Sequence, residues 1–131
     1  MIEYKIEYFK RKEFSCPCCG EDGVSEALVL WLDLLRRAWG GPVAVNSGRR
    51  CAAHNAKVGG SERSRHLIGC AADIRALDQG ARMPRRAEFA ALASRLCCLP
   101  GWEFRLYGTF IHIAAPRAES VKLWQGPIVL L

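Results

Sequence analysis

The 131-residue chain has no apolar run approaching the roughly 18 to 20 residues needed to cross a bilayer. Its start, Met1-Ile2-Glu3-Tyr4-Lys5, carries charge where a secretory signal would have its apolar stretch. The expectation is a chain with no membrane span and no export signal of its own. Charge is also sparse, at 24% of residues, while half are hydrophobic and four are tryptophan, which excludes the composition of a disordered chain. The length leaves no room for a second globular unit, so residues 1–131 are expected to form one domain. Number and spacing make the cysteines a poor disulfide framework. The seven cysteines stand at 16, 18, 19, 51, 70, 97 and 98, an odd count with two adjacent pairs, and neighbouring cysteines do not easily reach bridge geometry. A reducing compartment is the simpler reading. Cys97 and Cys98 end an apolar helical stretch and are expected to be small buried hydrophobes. The balance of 19 basic and 13 acidic residues, a net +6, favours a polyanionic partner without choosing among nucleic acid, anionic membrane and cell-wall polymer.

Periodicity supplies the elements. Ala27, Leu28, Trp31, Leu34, Leu35 and Ala38 recur at helical spacing between Val24 and Trp39, and Gly40-Gly41-Pro42 stops the run. Val43-Ala44-Val45 is a short strand entering the turn Asn46-Ser47-Gly48. Cys51 to Val58 has length for two helical turns, and Gly59 to Gly69, rich in Gly, Ser and charge, is expected to be an irregular surface loop. Ala71 to Ile74 resumes an extended course. Pro84 to Cys98 is a second helix with Phe89, Leu92, Ala93 and Leu96 on one face. Trp102 to Tyr107 and Thr109 to Ala114 alternate about Gly108 as a hairpin, with Phe110, His112 and Ala114 on one face and Ile111 and Ile113 on the other. Val121 to Leu131 is a further strand or docking segment. Neither repeats nor low-complexity tracts occur, and the whole is one mixed α+β domain.

Only three histidines exist, His54, His66 and His112. Gly69 lies between His66 and Asp73 and allows the chain to turn both side chains to one point, where His112 from a neighbouring strand would complete a cluster. Two imidazoles and a carboxylate suit zinc and leave a fourth position for water. On spacing alone a second reading stands beside this one: a solvated loop histidine, a turn aspartate and a half-buried sheet histidine. His54 is expected to pack or bond locally, and Arg49 to be an ordinary solvated arginine.

The order of short motifs separates the two readings. Ser64-Arg65-His66-Leu67-Ile68-Gly69-Cys70-Ala71-Ala72-Asp73 resembles the Ser-x-His-x-x-Gly-x-Ala-x-Asp signature of the zinc D-alanyl-D-alanine peptidases of the M15 family, a group that includes bacterial and phage cell-wall peptidases. Ser47-Gly48-Arg49-Arg50, His54-Asn55, Val58-Gly59-Gly60 and Phe110-Ile111-His112-Ile113 match further elements in the same order, and Phe14-Ser15-Cys16 resembles the entry of the smaller members. The resemblance implies a small antiparallel sheet flanked by helices, as in hedgehog-like and DD-peptidase-like folds. It implies one Zn²⁺ per chain held by His66, Asp73 and His112, with Arg50 and Ser64 facing a peptide of bacterial peptidoglycan. Arg50 would act on the substrate's terminal carboxylate or on the developing oxyanion. The expected activity is that of a carboxypeptidase or murein endopeptidase. The expected setting is a monomer, held in the cytoplasm until a phage-type release, as an endolysin is, or periplasmic or extracellular if a leader was removed.

Two positions depart from the family pattern. Thr109 and Phe110 stand where some branches carry a general base, and Ala114 stands where an aspartate two residues after the last histidine is frequent. Glu103, on the preceding strand, has the reach to cross the hairpin, although a strand glutamate is more often solvent-facing. These departures keep an alternative open: a cell-wall or peptide-binding relic that holds zinc without turnover. A third reading takes Cys16-Pro17-Cys18-Cys19-Gly20 and the basic charge as a zinc-ribbon nucleic-acid binder. Cys51 and Cys70 form no second Cys-x-x-Cys knuckle, and the basic residues are scattered, so no nucleic-acid partner is expected.

Overall fold

A computed structural model describes residues 2–77, 85–118 and 121–130. Ser25 opens the first helix, α1 (Glu26–Trp39), its hydroxyl accepting from the Leu28 amide at 3.3 Å, and Gly40 closes it in the left-handed conformation at φ 78°. The buried face of α1 is Leu28, Val29, Trp31, Leu32 and Leu35, while Leu34 is 45% exposed. The helix is therefore rotated from the orientation its spacing suggested, and a polar residue explains why. Asp33 is fully buried and accepts from the Tyr4 hydroxyl at 2.7 Å and the Tyr8 amide at 2.9 Å, so the N-terminal segment covers a face that composition marks as outward.

Among the described residues six strands form two sheets. β1 (Ile2–Tyr4) pairs antiparallel with β6 (Ile128–Leu130), which joins the two ends of the described chain. The main sheet is wholly antiparallel in the order β2 (Val43–Ser47), β3 (Ala71–Ala76), β5 (Ile111–Ala114), β4 (Glu103–Leu106). Along β3 and β5, Ala72, Ile74, Ile111 and Ile113 turn to the core with Leu28, Leu32, Leu35 and Phe89. Burying each large apolar side chain contributes about 1.5–3 kcal/mol. The opposite face therefore receives Asp73 and His112, as the period of two requires.

α2 (Ala52–Lys57) is capped by Cys51, and α3 (Arg86–Leu96) packs against α1. Trp31 fastens that contact, its indole N–H donating to the Leu96 carbonyl at 3.0 Å. Pro84 lies outside the described residues; on α3 Phe89 and Ala93 are buried as expected, whereas Leu96 is exposed. Cys98 is exposed and Cys97 only half-buried, so the pair are not the core residues expected of them; the helix ends before it can carry them under the sheet. No helix among the described residues is long and apolar enough to cross a membrane.

Candidate metal centre and substrate cleft

The stretch from Gly59 to Gly69 is not wholly irregular. Arg65–Ile68 form a 3-10 turn, opened by the Ser64 hydroxyl accepting from the His66 amide at 3.2 Å and closed by Gly69 at φ 74°. That turn points His66 inward, where it is only 2% exposed. A Cβ on Gly69 would stand 2.3 Å from the Gly23 carbonyl oxygen, so the position requires glycine on both conformational and steric grounds. The chain then enters β3, and Asp73 emerges on the sheet face opposite the core. A register irregularity between Val45 and Ser47 sets Ser47 opposite Asp73 on one side, and His112 faces Asp73 on the other.

His66, Asp73 and His112 consequently present one ligand atom each within 4.8 Å of one another. Asp73 Oδ1 lies 2.9 Å from His112 Nδ1 and 3.3 Å from His66 Nε2. The carbonyl of Gly48 can only accept, so at 2.7 Å it fixes the proton of His66 on Nδ1 and leaves the Nε2 lone pair toward Asp73. His112 is held between two carboxylates, with Glu103 Oε1 2.8 Å from Nε2, and a neutral ring can donate to only one of them. Acceptors thus outnumber protons at this point, which is the donor chemistry of a cation site. Burial alone would raise the Asp73 carboxyl, but its close contacts with the His112 and His66 rings bring it down to about 2. It is an anion at any physiological pH. Burial also works to raise Glu103, and the His112 hydrogen bond and Arg105 outweigh it, holding that carboxyl below its usual range.

Arg50 is fixed at three points: Nε to Ser47 Oγ at 3.1 Å, Nη1 to Asn55 Oδ1 at 3.3 Å and Nη2 to Asp73 Oδ2 at 3.3 Å. The last contact occupies the Asp73 oxygen that the imidazoles do not use. Arg50, His66, Asp73 and His112 line a cleft of about 600 Å³ that also holds Ser64, Glu103 and Phe110. Five arginines, 50, 63, 65, 105 and 117, reach the cleft against the two carboxylates Asp73 and Glu103, so its field favours an anionic guest. A larger cavity, about 720 Å³, lies between α3 and the Tyr107–Ile111 turn and contains none of the three clustered residues.

All five residues singled out in the sequence therefore border one cleft, and His54 stays outside the cluster. Arg49 departs from expectation. It is not solvated: its side chain is largely buried, with Nη1 on the Gly23 carbonyl and Nη2 3.0 Å from Glu21. Sequence reasoning undervalued Glu103. The β4–β5 register pairs Glu103 with Ala114, so a carboxylate enters from across the hairpin at the place where Ala114 provides none.

A stretch of 59 residues is 46% identical to the zinc D-Ala-D-Ala carboxypeptidase of Streptomyces albus G, covering 43% of this chain and 23% of that enzyme. The chain thus spans less than a quarter of that relative's length. The Peptidase M15 family matches residues 7–114, from the segment before Phe14 to the strand that carries His112. On that extent of match the chain belongs to the Peptidase M15 family, the zinc peptidases its motifs resemble.

Proposed function

We infer that the chain hydrolyses peptides of bacterial peptidoglycan, as a D-Ala-D-Ala carboxypeptidase or murein endopeptidase, with zinc held by His66, Asp73 and His112. The observation that carries this reading is the convergence of those three side chains, from a 3-10 turn and two strands, beside a fixed guanidinium in an arginine-lined cleft. Zinc, when bound, supplies Lewis acidity that activates water near neutral pH and polarises the scissile carbonyl. The chain's own groups do the rest. Arg50, already locked by Ser47, Asn55 and Asp73, still has N–H donors for a terminal carboxylate or for the oxyanion of the transition state. Ser64 accepts from the His66 amide, and its hydroxyl proton remains to be donated into the cleft. Glu103 positions His112 by accepting a hydrogen bond from Nε2–H, which leaves the Nδ1 lone pair toward Asp73.

One observation favours the second reading, a zinc-holding relic that binds cell-wall peptide without turnover. Phe110, at a position where a general base stands in some M15 branches, is stacked on Tyr107 at 4.7 Å between ring centroids and carries no proton acceptor. The two readings separate on purified peptidoglycan. Hydrolysis predicts zinc-dependent release of D-alanine, or of cleaved cross-link peptides, that disappears in His66→Ala; bound zinc with neither product would establish the relic.

A further inference from the structure

The segment before α1 and the cap of α2 bring a second group of metal-ligating atoms together, away from the histidine–aspartate centre. Cys16, Cys19 and Cys51 place their sulfurs within 4.8 Å of one another. The first two belong to Cys16-Pro17-Cys18-Cys19-Gly20, a Cys-x-x-Cys turn closed by the Gly20 amide on the Cys16 carbonyl at 2.8 Å, with Gly20 at φ 78°. The third arrives from 32 positions later in the chain than Cys19, and its own backbone N–H donates to the Cys16 sulfur at 3.4 Å. The His54 amide likewise donates to the Cys51 sulfur at 3.4 Å. Amide donors aimed at sulfur stabilise thiolates, the form in which cysteine binds metal. Cys18 is exposed on the same turn, next in sequence to Cys19. A second Cys-x-x-Cys knuckle is therefore unnecessary, because the fold supplies Cys51 from the other side.

We propose that Cys16, Cys19 and Cys51, with Cys18 at the fourth corner, bind a structural zinc ion. Four sulfur ligands close the coordination sphere, so this ion has a structural role and leaves no position for substrate. Binding displaces thiol protons and ties two distant stretches of chain together. The stretches it joins matter to the cleft. Cys51 directly follows Arg50, whose amide donates to the His66 carbonyl at 3.0 Å, while the Arg49 amide donates to the Phe14 carbonyl at 2.8 Å. The clip thus fixes the turn that presents Arg50 to the substrate.

The test loads the reduced, full-length chain with Co²⁺ in place of zinc and, after dialysis, reads the thiolate-to-cobalt charge-transfer absorption beside metal content. The expected result is about two metals per chain in the native sequence. His66→Ala should retain about one, with the thiolate band intact; Cys51→Ser should lose the band and keep the other metal. The native chain and His66→Ala decide the matter even if Cys51→Ser fails to fold. A native chain that binds cobalt with no thiolate band would overturn the proposal, as would thiols that react equally fast with and without metal. Neither outcome would touch the peptidase reading, which depends on the His66 site alone.

Discussion

At His112 the carboxylate that orients the ring comes from across the hairpin, because Glu103 pairs with Ala114 and its Oε1 reaches Nε2 at 2.8 Å. A positioning role makes a specific demand: the partner must accept a hydrogen bond, and it need not take up a proton. Glu103→Gln should therefore keep zinc affinity close to the native value, whereas Glu103→Ala should weaken it about 10- to 100-fold, measured by competition with a chromogenic chelator. If the glutamine variant held zinc normally yet lost activity about 100-fold or more, Glu103 would be a proton acceptor in the reaction and not an orienter. At this scale His66, Asp73, His112, Arg50 and Ser64 were legible because motif order singled them out. Glu103 was legible only as a strand residue, since its role depends on a cross-strand register that a one-residue slip would reverse. Arg49 was misjudged, and Asp33 passed over, for a related reason. Both are charged residues whose partners, Tyr4 and the Tyr8 amide for one and Glu21 and the Gly23 carbonyl for the other, are brought by other segments of the chain.

Among the elements, the 3-10 turn Arg65–Ile68 does most to build the site, because it converts a polar loop into a support for a buried imidazole. Its closing residue makes a clean test. Gly69→Ala faces both a left-handed φ and a Cβ 2.3 Å from the Gly23 oxygen, while Gly59→Ala meets the same φ with nothing within 4 Å. Urea unfolding should show Gly59→Ala losing about 1 kcal/mol and Gly69→Ala clearly more, with unchanged slopes. Equal losses would mean that the turn yields readily and does not hold His66 in place. Helix and strand periods were readable for α1, α3 and the hairpin. The 3-10 turn was not, because four residues are too few for a period to declare itself, and neither was β1, whose three residues gain strand structure only by pairing with β6.

Across the whole molecule, an antiparallel sheet buries one face against α1 and α3 and offers the other as a floor on which distant residues meet. The mixed α+β class followed from the alternation of periods, and the antiparallel pairing of β3 with β5 is what turns three separated letters into one site. The cysteines show the limit of such reading: without the fold, Cys51 has no reason to join a turn more than thirty positions earlier. The account's central claim is that His66, Asp73 and His112 share a single ion. Anomalous diffraction at the zinc absorption edge, on crystals of the zinc-loaded chain, tests it directly. The account predicts a peak within bonding reach of His66 Nε2, an Asp73 oxygen and a ring nitrogen of His112; a fully loaded crystal with no peak there, and the three side chains bonded only to one another, would contradict it.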